Sequence, residues 1–176
     1  MSNLNFEALN AAHSKLQGII DILPEAAIVG GYIRDILLDK PHRDIDIMTE
    51  VVPTNEQTRA LEKHLGVYLY AFNPEQVENY IMESDFVRTS DILQLWKDED
   101  NNLVDVIVVQ NLKQHIKDFP DNLSRVWYDK DGVGMMSEFV YGHANKLLRY
   151  RTGAPPARLE KLKTKFPDYT VKMTPE

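Results

Sequence analysis

Apolar positions change their spacing repeatedly along the chain, and each change predicts a new element. From residue 5 to 22, Phe6, Leu9, Ala12, Leu16, Ile19 and Ile20 recur every three or four positions, with Leu23 continuing the stripe. That spacing predicts an amphipathic helix, stopped by Pro24. Ala26 to Val29 is a short apolar run ending at Gly30-Gly31, the pattern of a buried strand. Tyr32 to Leu38 returns to helical spacing, and Pro41-His42 turns the chain. Ile45, Ile47 and Val51 then alternate with polar neighbours, predicting a second strand. Thr54 to Leu65 is a helix with Thr54 as N-cap and Gln57 as its capping-box partner.

Val67 to Phe72 predicts another strand, and residues 73–84 an acidic loop or short helix. Phe86 to Trp96 and Leu103 to Val109 read as two strands joined by the polar tip at residues 97–102. Leu112 to Ile116 is a short helix and Leu123 to Tyr128 a strand candidate. After a glycine-containing turn, Phe139 to Tyr150 reads as a helix. Pro155-Pro156 breaks the chain before a last basic helix, Arg158 to Phe166. No internal repeat is visible. The expected architecture is α+β, a mixed sheet of about five strands flanked by helices.

Composition narrows this picture. With 176 residues, 43% of them hydrophobic, the chain suits one full-sized domain. The absence of cysteine excludes disulfides and thiolate metal sites. The five histidines show no paired metal spacing. The N-terminus lacks the basic and apolar segments of a signal peptide, and no apolar run is long enough to cross a bilayer. A cytoplasmic protein without a membrane partner is the expectation.

The net charge of -7 argues against sequence-independent binding to nucleic acid over the whole surface. The charge is uneven, however. Lys146, Arg149, Arg151, Arg158, Lys161, Lys163, Lys165 and Lys172 crowd the C-terminal end. That end is either a solvated helix or a face for polyphosphate or nucleic acid. The division this suggests is a main domain at 1–150 and a basic helical extension at 151–176.

Candidate chemistry concentrates in residues 26–50. Gly30-Gly31 lets backbone approach a ligand closely, and the helix start that follows offers N–H groups to an anion, although such a pair alone is usually a plain turn. Arg34, one turn on, could reach back to phosphate, or could simply pair with a carboxylate. Asp44 and Asp46 are two residues apart on a predicted strand, so both face one side while Ile45 and Ile47 face the other. Like charges side by side repel, and a divalent cation would compensate them. Asp105 stands alone in the apolar run Leu103 to Val109. A buried unpaired charge is costly, so Asp105 should face a cleft or a metal. If its strand neighbours that of Asp46, the three carboxylates converge. Trp96, Trp127, Tyr128 and Tyr150 could stack a base, but packing is the simpler role.

Taken in order, VGGYIRDILL followed by RDIDIMT resembles the signature of the class II nucleotidyltransferases, the CCA-adding tRNA nucleotidyltransferases and bacterial poly(A) polymerases. The family pattern is Gly-Gly, a hydrophobic residue, Arg-Asp, two leucines, then Asp-x-Asp. Here it falls on Gly30, Gly31, Arg34, Asp35, Leu37, Leu38, Asp44 and Asp46. LVDVIVV resembles the strand carrying the family's third acidic residue, which maps to Asp105. Lys117-Asp118-Phe119 with Asn122 is a weaker match to the family's Arg-Asp-Phe-Thr-Ile-Asn, with Pro120-Asp121 in place of Thr-Ile.

The resemblance implies a polymerase-β-like head domain over 1–150. It implies Mg2+ or Mn2+ on Asp44, Asp46 and Asp105, with Asp105 also helping as general base. It further implies an NTP held by Gly30, Gly31 and Arg34, with Lys40 and Arg43 as further candidates. The family's helical neck and tail domains, which select the base and grip tRNA, have no room after the last match.

The leading expectation is metal-dependent transfer of a nucleotidyl group to an RNA or tRNA 3′ end, with the basic C-terminal segment meeting the RNA. The alternatives are a nucleotidyltransferase that modifies protein or small molecules, and a catalytically reduced relative that binds nucleotide or RNA.

Overall fold

The computed structural model describes residues 4–83, 92–100 and 103–175. In chain order the elements are helices α1 (Phe6–Ala11) and α2 (His13–Ile22), strand β1 (Ala26–Val29), helix α3 (Gly31–Leu37), strand β2 (Ile45–Thr49), helix α4 (Asn55–Leu65), strand β3 (Leu69–Ala71) and helix α5 (Pro74–Glu83). They continue with strands β4 (Ile92–Asp98) and β5 (Val104–Val109), helix α6 (Leu112–Lys117), a 3-10 turn at Asn122–Ser124, strands β6 (Val126–Asp129) and β7 (Gly132–Met135), helix α7 (Ser137–Asn145), strand β8 (Leu147–Arg151), helix α8 (Pro156–Lys165) and strand β9 (Thr170–Thr174).

The α+β class is as expected, with a larger sheet. Seven strands lie in the order β3-β4-β5-β2-β1-β6-β7, and β8-β9 form a second, two-stranded sheet. The β2–β5 pair at the centre is parallel and its neighbours are antiparallel, so the sheet is mixed. Alternation along these strands builds a core on each face. Ile28, Ile45, Ile47, Val104 and Val106 pack with Leu16, Ile19, Ile33 and Leu37. Val29, Met48, Ile107 and Val109 pack with Ile116 and Phe119 on the opposite face.

A third cluster joins Leu123, Leu148 and Tyr150 to Ala154, Leu162 and Phe166. It fixes α8 and the small sheet against the main body. Among the described residues, no helix is long and apolar enough to cross a membrane.

Several elements differ from the sequence pattern for identifiable reasons. The first helix breaks at Ala12, because α1 packs on α3, where the Asn5 N–H donates to the Leu37 carbonyl, while α2 covers the sheet. Residues 74–83 are helical, capped by a reciprocal pair of hydrogen bonds between Asn73 and Gln76. The helix expected to run to Tyr150 ends at Asn145. Lys146 adopts φ 49°, which closes α7, and the alternation of Leu147–Arg151 then makes β8. The strand expected at 123–128 begins only at Val126, because Asp121 caps the turn before it. β7 is glycine-rich, and a Cβ at Gly134 would fall 2.1 Å from the Trp127 ring. Residues 86–91 of the strand expected at 86–96 lie outside the described residues.

Candidate active site

β1 delivers the chain to a sharp bend. Gly30 has φ 67° and ψ −134°, a backbone region in effect reserved for glycine. The bend ends β1 at Val29 and starts α3 at Gly31 without an intervening loop. Next to it in the sheet, Val29 is registered opposite Asp46 on β2. The glycine turn and the first acidic strand are therefore neighbours because β1 and β2 pair.

β2 and β5 bring the acidic residues together. Their parallel register sets Asp46 directly beside Asp105, and registered partners in a sheet share a face. Met48 and Ile107, two residues on, continue that face into the second core. Asp44 precedes β2 and is exposed, whereas Asp46 and Asp105 are half-buried. Burial pushes the Asp46 carboxyl up to about 7, and the charges of Asp105 and Asp44 push the same way against Arg158 and Lys97. Burial also raises Asp105, opposed by Lys97 and Tyr80. Lys97 is the cross-strand partner of Asp105, with its ammonium 3.3 Å from the carboxylate, and the Tyr80 hydroxyl donates to Asp105 at 3.3 Å.

Among the described residues, no three His, Cys, Asp or Glu side chains stand close enough to cage a metal. The acidic set is an adjacent pair with a third carboxylate at the entrance. Such a pair is unfavourable as a dianion and suits a hard cation that takes its remaining ligands from substrate and water. The donor set thus fits Mg2+ or Mn2+.

A cavity of about 310 Å³ opens beside the pair. Gly30, Gly31, Arg43, Asp44 and Asp46 line it, with Arg34, Phe119 and, from α8, Arg158, Lys161 and Lys165. Asp105 is beside Asp46 but not among the lining residues, and Lys40 is also outside, its ammonium 5.5 Å from the centre of the Phe166 ring. Arg34 is buried rather than extended into solvent. Its Nε donates to Asp35 at 2.8 Å and its Nη1 to the Ser124 hydroxyl at 3.1 Å.

The sequence pattern marked α8 as basic but not that it closes the glycine–aspartate pocket. Asp121 and Ser124, which anchor Arg158, drew no attention as functional residues, nor did Lys97 and Tyr80. Asp121 and Ser124 meet Arg158, and Tyr80 meets Asp105, across tens of residues, while Lys97 meets Asp105 across a strand pair, and periodicity encodes neither kind of contact. The aromatic residues considered for base stacking pack instead. Tyr150 is buried with its hydroxyl on the Pro155 carbonyl, Trp96 joins the first core, and Tyr128 reaches His13 and Gln17. Trp127 lies under the Lys113 ammonium, 4.1 Å from the ring centre.

In this fold a Gly-Gly bend stands opposite an Asp-x-Asp strand. Residues 26–104 match the family model described as the poly A polymerase head domain.

Solved structures agree in fold. A Thermotoga maritima CCA-adding enzyme complexed with tRNA superposes with a TM-score of 0.61 at 15% identity, over 98% of this chain and 41% of that one. A CCA-adding enzyme with CTP gives 0.61 at 13% identity, over 97% and 43%. A tRNA nucleotidyltransferase with primer tRNA and an ATP analogue gives 0.51 at 18% identity, over 76% and 37%. The chain thus spans less than half the length of these proteins. A search of the curated proteins by sequence finds no significant match.

Proposed function

We propose that the protein transfers a nucleoside monophosphate from an NTP to a hydroxyl acceptor at the 3′ end of an RNA, tRNA included. The observation that carries this is the registered Asp46–Asp105 pair beside a cavity lined with cations. Asp46 and Asp105 would hold Mg2+ or Mn2+, with Asp44 at the entrance as the further carboxylate. When bound, the metal neutralises charge on the transferring phosphoryl group and lowers the pKa of the attacking hydroxyl.

The rest falls to the chain's own residues. Gly30 and Gly31 leave room for the triphosphate to approach the backbone. Arg34, Arg43, Arg158, Lys161 and Lys165 supply positive charge where pyrophosphate leaves. The acceptor oxygen forms a bond to the α-phosphorus as the bond to pyrophosphate breaks, and the hydroxyl proton passes to Asp105 or water.

In this reading residues 1–150 are the catalytic head. Residues 151–176 are a basic extension that completes its pocket through α8. Lys146 at the end of α7, Arg149 and Arg151 on β8 and Lys172 on β9 continue the basic side on which RNA would lie. The solved relatives that bind tRNA and nucleotide support this choice of partner.

The test is incubation with each labelled NTP and Mg2+, in separate reactions with tRNA, an RNA oligomer and a protein extract. Label should appear on RNA and require the metal. Asp46→Ala should reduce it by at least about a thousandfold, since the ligand and field it removes act in the transition state. Label on protein alone, or transfer undiminished in Asp46→Ala, would overturn the proposal.

A further inference from the structure

Two guanidinium groups meet at one hydroxyl on the edge of the cavity. Arg34 Nη1, from α3, donates to Ser124 Oγ at 3.1 Å, and Arg158 Nη2, from α8, donates to the same oxygen at 2.9 Å. Ser124 in turn donates to Asp121 Oδ2 at 2.9 Å. A hydroxyl has one proton and two lone pairs, so these three bonds use its whole capacity and fix its orientation. Asp121 also accepts from Arg158 Nε at 3.2 Å and Nη2 at 3.0 Å, and from the Ser124 backbone N–H at 2.8 Å.

Asp121 is wholly buried. Burial alone would raise its carboxyl, yet the charges of Arg158 and Arg34 and the Ser124 hydrogen bond outweigh that and hold it below the usual range. It is therefore a fixed anion between two cations that would otherwise repel each other.

The charge count around it is unbalanced. Arg34 and Lys165 both pair with Asp35, the latter at 2.6 Å, and Arg158 pairs with Asp121; around the cavity, Arg34, Arg43, Arg158, Lys161 and Lys165 outnumber Asp35, Asp44 and Asp46. The field of Arg158 reaches Asp46. A Cβ at Gly31 would sit 3.1 Å from Arg34 Nη2, so the glycine is what admits the guanidinium there. The surplus positive charge faces a space suited to a polyphosphate.

We propose that Asp121, acting through Ser124, is a positioning residue that holds Arg34 and Arg158 together as a clamp for the triphosphate of the incoming nucleotide. The proposal rests on the nucleotidyltransferase reading above. It gives a role to a residue that replaces the hydrophobic one of the family pattern. Asp121 makes no contact with the nucleotide itself.

Calorimetric titration of the full chain with inorganic tripolyphosphate, and with each NTP in Mg2+, tests it. Asp121→Asn should weaken tripolyphosphate binding about tenfold, as the charge-assisted bonds are lost. Ser124→Ala, which keeps the ion pair but removes the bridge, should weaken it severalfold. In the transfer assay both variants should raise KM for NTP by a larger factor than they lower kcat. Asp121→Asn should cost less binding in an Arg158→Gln background than in the wild type, because Asp121 acts in part through that arginine.

Folded variants that bind tripolyphosphate and NTP as the wild type does would overturn the clamp while leaving the enzyme reading intact. If Asp121→Asn fails to fold, Ser124→Ala decides by the same criterion. A wild-type protein that binds neither tripolyphosphate nor any NTP overturns the enzyme reading itself, and the clamp with it.

Discussion

Asp46 bears an ionisation cost imposed by its neighbours on the sheet. Its carboxyl is pushed to about 7 by burial and by the Asp105 and Asp44 charges, against an ordinary value of 3.8. Below the lower value the group is protonated in both the folded and the unfolded chain, so there is no penalty. Between the two values the unfolded chain gives up the proton while the fold retains it, and stability of the metal-free protein falls as pH rises. Above about 7 the loss is complete. Asp46→Asn removes this slope, so its melting temperature should gain steadily on that of the wild type from about pH 4 to about pH 8. Thermal melts at several pH values without divalent cations check this, and parallel curves would mean that Asp46 ionises freely. In the proposed reading, a bound cation would relieve this penalty.

At the scale of elements, α8 is the piece whose placement decides the pocket. Leu162 and Phe166 bury it in the third core, and Phe166 also lies under Arg34 and Lys40 at 5.5 Å. Phe166→Ala should cost about 3–5 kcal/mol, as expected for a large aromatic removed from a packed site. Denaturant unfolding would measure that loss. Hydrogen exchange should rise over residues 156–165, and a variant of unchanged stability and protection would show that α8 is not held by this cluster.

The sequence made the first half of the fold legible because its signals are local. Alternation in Ile45–Thr49, the glycine bend and the Thr54 cap each depend on a few neighbouring residues. The later elements were less legible. The strand that pairs with β8 is β9, beyond an intervening helix, so Leu147–Arg151 read as a continuation of α7. In the site, the spacing of Asp44 and Asp46 was visible, but their alignment with Asp105 is a matter of register between strands far apart in sequence. The Asp121–Ser124–Arg158 contacts were invisible for the same reason.

At the scale of the whole molecule, an acidic chain of net charge -7 confines much of its positive charge to one end and folds that end over the acidic strands. Carboxylates and cations thus line one cavity, with Arg34, Arg43, Asp44 and Asp46 from the first part of the chain and Arg158, Lys161 and Lys165 from α8.

The most direct measurement is a crystal soaked with Mn2+ and a non-reacting NTP analogue, read by anomalous scattering. The account predicts a manganese peak in contact with an Asp46 carboxylate oxygen and with the analogue's phosphates, which lie toward Arg34 and Arg158. Manganese bound to phosphate alone, or an analogue seated outside the cavity, would contradict it.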